Sequence, residues 1–170
     1  MLPKGIHPTE NHWLSAKVDE LISGCTDVTA TIGTTFRIQD ANEKIAARKA
    51  LVDKDEGRLH MHLNGLEQIC AANQQQQQQQ QQQSMSVSSE SDGYNYYYSV
   101  GSSITVADLA VWRLIGWIDS GTLDGIPVNY VVDTFPALRK LVQTVDSHPK
   151  VVEWKAKHSK LYSTRSSSSS

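Results

Sequence analysis

Apolar residues recur along this chain at helical spacing. Leu14, Val18, Leu21, Ile22, Cys25, Val28 and Ile32 keep to one helical face, and Gly33-Thr34-Thr35 provides a stop. Thr9 is the predicted N-cap of this helix. Its opposite face carries Asn11, Ser15, Asp19, Ser23 and Thr26 and ends in the small Ala30, a polar stripe that is either solvated or the lining of a cleft. A second pattern spaces Ile45, Val52, Leu59 and Leu66 by sevens, with Leu63 and Cys70 between them, and predicts one long helix from about Asp40 to Ala72. Gly57 and Gly65 weaken that helix by ~1 kcal/mol each relative to alanine, so packing has to hold it. Two long helices in succession point to an antiparallel pair in a bundle.

The most specific local signal is Ile104-Thr105-Val106-Ala107-Asp108-Leu109. Thr105 and Asp108 are spaced as a capping box, and Ile104 and Leu109 occupy the positions of a hydrophobic staple. The following run, from Ala110 to Ile118, is apolar on nearly all sides and predicts a helix in the middle of the core. A loop with Gly121, Gly125 and Pro127 comes next. A helix near Pro136 then buries Leu138, Leu141, Val142 and Val145, and a short one from Ser147-His148-Pro149 presents Val151, Val152 and Trp154. No strand pattern is evident, so the fold class is all-α, a helical bundle.

Composition alters this picture mainly by subtraction. The chain has 170 residues, but Gln74 to Gln83 are ten consecutive glutamines, 84–92 is serine-rich and 166–170 is serine alone. Such segments bury too little apolar surface to offset the entropy of ordering. The expected organisation is a linker remnant over 1–8, one helical domain over 9–161 with a disordered polyglutamine insert at about 73–93, and a disordered tail over 162–170. Glutamine is a fair helix former, so the first few extend the preceding helix, and Tyr94 to Val100 lead back to the core. The formal net charge is −2 with no long charged block, which argues against nucleic acid and anionic membrane as partners. Cys25 and Cys70 fall at buried helical positions and read as reduced core thiols of a cytoplasmic protein.

Candidate chemistry is sparse. His60 and His62 point to different faces of a helix and do not form a metal pair. Asp53-Lys54-Asp55-Glu56-Gly57 has its glycine one place early for a calcium loop, and Asn64 stands where the bidentate glutamate is required. No phosphate-cradling glycine loop, nucleophile elbow or other complete catalytic constellation is present, and no metal is implied. Asp19 stands out as a mid-helix charge on the polar stripe, which on physical grounds alone is a solvated surface carboxylate.

Ile104 to Leu109, then Phe135-Pro136-Ala137-Leu138, then His148-Pro149-Lys150-Val151 resemble the ordered landmarks of the C-terminal helical domain of cytosolic glutathione transferases. Ala16-Lys17-Val18-Asp19-Glu20-Leu21 resembles the first long helix of that domain in the sigma-like classes, and Tyr98 to Thr105 resembles the approach to the family's capping box. The resemblance implies glutathione as co-substrate, small electrophiles as substrates and a homodimer formed through the first two helices. It also implies that catalysis resides in a thioredoxin-like domain outside this helical half, so that these residues alone are inactive. Asp19 matches the position that reaches glutathione bound by the partner subunit. Ser23 and Thr26 become candidate pocket-lining residues, while Thr105 and Asp108 match a structural capping pair. A different class of reading is a non-catalytic interaction module of the same fold, of the kind found in translation factors.

Overall fold

The computed structural model describes residues 6–84 and 96–158, the last five of the first stretch as backbone alone. Its helices are α1 (His12–Gly33), α2 (Ala41–Leu51), α3 (Arg58–Ser84), α4 (Val106–Ile118), α5 (Tyr130–Thr134), α6 (Pro136–Ser147) and α7 (Pro149–Lys157), with a 3-10 turn at Thr34–Arg37. No strand occurs among the described residues. Four helices close a ring: α1 packs on α3 and α4, and α6 packs on the same two from the other side. Short α5 and α7 rest on α6, and α2 lies outside the ring against the 3-10 turn and α3.

The ring closes because each of its helices carries an apolar stripe. Val18, Leu21, Val28 and Ile32 of α1 meet Leu59 and Leu63 of α3, Val111, Ile115 and Ile118 of α4, and Leu138, Leu141 and Val145 of α6, all essentially inaccessible to solvent. Each such side chain is worth roughly 1.5–3 kcal/mol by removal from water. Cys25 and Cys70 are both free and buried in this core. Burial pushes the Cys25 thiol up to about 11 and raises that of Cys70 further.

Several expected boundaries shift. Asn11, placed by pattern on the polar stripe, is the N-cap of α1 in place of Thr9, its side chain accepting from the backbone N–H groups of Trp13 and Leu14 at 3.1 Å. The single helix expected from Asp40 to Ala72 is two, α2 and α3. Between them the Asp53 carboxylate accepts from the N–H groups of Asp55 and Glu56 at 2.9 and 3.0 Å, folding the chain into a tight turn. Gly57 closes that turn, where a Cβ would come within 2.3 Å of the Asp53 carbonyl oxygen. Side-chain competition for the backbone and a position only glycine can fill together break the heptad.

In the other direction α3 outlasts the expectation and runs through all ten glutamines to Ser84. The expected insert is therefore helical over 73–84, and its remainder from 85 to 93 lies outside the described residues, as do the linker up to Gly5, Tyr94 and the serine tail. The helix expected at the centre of the core, α4, is one of the four ring members instead. It buries Ala107, Asp108, Val111, Leu114, Ile115 and Ile118, while Arg113 is exposed and Trp112, Gly116 and Trp117 are half-covered. In α7, Val151 is buried, but Val152 and Trp154 are exposed. The segment between α4 and α6 also holds α5, which no periodicity marks in five residues.

Candidate functional site

Side by side, α1 and α4 leave a groove of about 660 Å³ on the outside of the ring. Ile22, Cys25 and Ala30 of α1 and Ala110, Leu114 and Trp117 of α4 form its apolar walls. Thr26 and Thr29 also line it, and each hydroxyl donates back to the carbonyl four residues earlier, at 3.1 Å to Ile22 and 2.8 Å to Cys25. Their hydrogens are thereby used within α1, and the groove presents their methyl groups and oxygen lone pairs. Arg113 stands at the rim with no hydrogen-bonding or ionic partner among the described residues. Phe36 of the 3-10 turn stacks on Trp117, ring centroids 6.4 Å apart. The groove suits a small, mainly apolar molecule.

Of the residues singled out from sequence, Thr26 lines this groove. Ser23 is exposed and lies outside its lining. Asp19 sits two turns before Thr26 on α1, about 10 Å away along the helix axis. Its carboxylate is largely exposed and meets His7 Nε2 at 3.4 Å. The three candidates thus do not converge on one site.

Thr105 and Asp108 form the expected capping box at the start of α4. The Asp108 carboxylate accepts from the Thr105 N–H at 2.6 Å and from the Thr105 hydroxyl at 2.8 Å. It also accepts from the Ser99 N–H at 2.6 Å, a bond that ties the incoming chain to the helix. Asp108 has no solvent exposure. Burial raises its carboxyl above the ordinary value, opposed by those backbone N–H groups.

Other polar groups of the bundle are also spent on architecture. A second groove, about 340 Å³ between α4, α6 and α7, includes Asp119, Asp146 and Lys155. Asp119 caps α5 through the N–H groups of Val131 and Val132 at 2.8 and 3.1 Å. Asp146 accepts from Trp112 Nε1 at 2.9 Å and pairs with Lys155. His60 Nδ1 meets the Tyr130 hydroxyl at 2.8 Å. Among the described residues no group of three or more His, Cys, Asp or Glu side chains is placed to hold a metal ion. No helix among them is long and apolar enough to cross a membrane.

Nothing in the sequence marks the carboxylate and amide contacts that α3 makes with α6 and with the chain entering α4. Glu67 accepts from the N–H groups of Ala137 and Leu138 at 2.8 and 2.9 Å and so caps α6 from a different helix. Gln74 donates to the Ala137 carbonyl at 3.0 Å, and Asn73 donates to the carbonyl of Tyr98 at 2.8 Å. Nor does the sequence mark Arg48, which is buried under Phe36 and donates to Thr35 Oγ1 at 3.1 Å and to the Asp124 carbonyl at 3.3 Å. The only available signal was a charged residue inside an apolar pattern, which in a sequence is indistinguishable from a surface position.

The family model of the glutathione S-transferase C-terminal domain matches residues 26–158. That span includes the groove residues from Thr26 onward and the capping box, and leaves out Asp19 and Ser23. Searches of curated proteins and of solved structures gave no match. The family match, covering most of the chain and set on an all-helical ring, shows that this chain belongs to the glutathione S-transferase C-terminal domain family.

Proposed function

We propose that this domain forms the electrophile-binding wall of a sigma-like glutathione transferase, with the α1–α4 groove holding the electrophile. The observation that carries this reading is the groove itself, apolar on both walls and formed by the first long helix of a domain of this family. Glutathione is the co-substrate, and the thiol is activated by a thioredoxin-like domain, as the resemblance to the transferases implies. Asp19 serves a homodimer by reaching glutathione on the partner subunit. Its exposed carboxylate supports that role. The sigma-like class rests on the resemblance of Ala16 to Leu21, and a cytoplasmic setting fits two buried free thiols.

Titration of the purified chain with 1-chloro-2,4-dinitrobenzene, followed by tryptophan fluorescence, tests the groove. Saturable quenching is expected, because Trp117 lines the site. Ala30→Phe, which places a ring in the groove from an exposed helical position, should abolish saturation while leaving the far-ultraviolet circular dichroism unchanged. Linear quenching, or saturation equal in the variant, would overturn the assignment. No conjugation with glutathione is expected from this chain alone.

A further inference from the structure

The buried face of α3 reads Leu59, Leu63, Leu66, Cys70, Gln74, Gln77, so the apolar seam of the helix continues without a break into the glutamine tract. Gln74 and Gln77 are 4 % and 8 % exposed, as buried as the hydrophobic residues before them, whereas Gln75, Gln76, Gln78 and Gln79 face solvent. Both buried amides are engaged. Gln74 donates to the Ala137 carbonyl at 3.0 Å, beside the Glu67 cap of α6. Gln77 donates to the carbonyls of Gly101 and Tyr98, and Asn73 reinforces the same two acceptors at 3.2 and 2.8 Å. Ser99, between those acceptors, is held from the other side by Asp108. The chain that enters α4 is therefore clamped between the glutamine tract and the capping box.

We propose that the glutamine tract is a slip-tolerant anchor, in which the first four glutamines are structural and those after them are length-neutral. The reason lies in the homopolymer. Whichever glutamines are gained or lost, the residues at positions 74 and 77 remain glutamine as long as four are left. Additional residues enter after position 77 and leave both anchors in register. An ordinary insert at this place would shift the anchor out of register, but a repeat of one residue type cannot. The proposal is independent of any catalytic role for the domain.

Thermal unfolding of the full chain with altered tracts tests it. Tracts of twenty, ten and four glutamines should melt within about 2 °C of one another. Removing eight, so that Ser84 and Met85 move into positions 76 and 77, should lower Tm by about 5 °C. Gln74→Ala with Gln77→Ala should lower Tm by a similar amount, although alanine is the better helix former. The control Gln75→Ala with Gln76→Ala should hold or raise it. In Gln77→Ala, hydrogen exchange should quicken over 98–106. A double Gln74/Gln77 variant that melts at or above the parent, or a steady fall in Tm from twenty to four glutamines, would overturn the proposal.

Discussion

Glu67 links two helices far apart in sequence, and its removal has a calculable cost. Helix α6 begins with Phe135 as an N-cap that offers no side-chain acceptor, and with Pro136, which has no N–H. Its next two donors, on Ala137 and Leu138, are satisfied by the two oxygens of Glu67 at 2.8 and 2.9 Å. A hydrogen bond to a charged group contributes about 1.5–3 kcal/mol net, and a carboxylate at a helix N-terminus adds about 0.3–1 kcal/mol through the macrodipole. Part of that is recovered when water reaches the half-buried site, so Glu67→Ala should cost about 2–3 kcal/mol. For a domain of this size the melting temperature falls by about 8 °C. Glu67→Gln keeps one acceptor and loses the charge, and should cost about half as much. Urea unfolding at pH 7, followed by far-ultraviolet circular dichroism, measures both against Gln68→Ala, an exposed neighbour whose change should stay within about 0.5 kcal/mol. A Glu67→Ala protein within 0.5 kcal/mol of the parent would refute the cap, because an unsatisfied helix start in the core cannot be that cheap.

Two further outcomes follow from the buried titratable groups. Folding raises the Asp108 carboxyl, chiefly by burial. Its contribution to stability is therefore fully present below the ordinary carboxyl value of 3.8 and is lost as pH rises through the folded value. The stability gap between the parent and Asp108→Asn should be widest in acid and narrow towards pH 7, and a gap that widens from pH 3.5 to 7 in urea titrations would contradict it. Cys25, pushed up to about 11, and Cys70, raised further, hold almost no thiolate near neutrality. Ellman's reagent at pH 8 should titrate neither in the native chain within minutes and both in 6 M urea, and rapid native reaction of either thiol would contradict this.

Local spacing carried most of the fold. The apolar face from Val18 to Ile32 is buried apart from half-covered Ile22, Leu138, Leu141 and Val145 of α6 are buried as the pattern dictates, and α7 starts at its proline. The capping box is the clearest case, because both partners lie within four residues and need nothing from the rest of the chain. The long second helix failed as a reading because a heptad of apolar residues continues across a turn whenever the two flanking helices present the same face. Gly57 held the correction, but its meaning depends on a backbone oxygen 2.3 Å from where a side chain would begin. Likewise α4 is apolar on most sides, which places it in the interior by pattern, yet the ring geometry leaves its Arg113 side open and forms a groove there.

For the site, Thr26 was legible only as part of a stripe that is either solvated or cleft-lining. Its separation from Ser23 and Asp19 was not, since the opposite wall belongs to α4, more than eighty residues further on. The same division holds for the chain as a whole. Sequence alone determined the apolar faces of α1 and α6 and the capped start of α4, because periodicity and capping act over a few residues. Tertiary structure alone decided that Gln74 and Gln77, among the six glutamines whose side chains are described, enter the core and that Glu67 closes α6. It also decided where the groove lies. A homopolymer has no pattern to read, and a contact between distant helices has no local signature until packing brings them together.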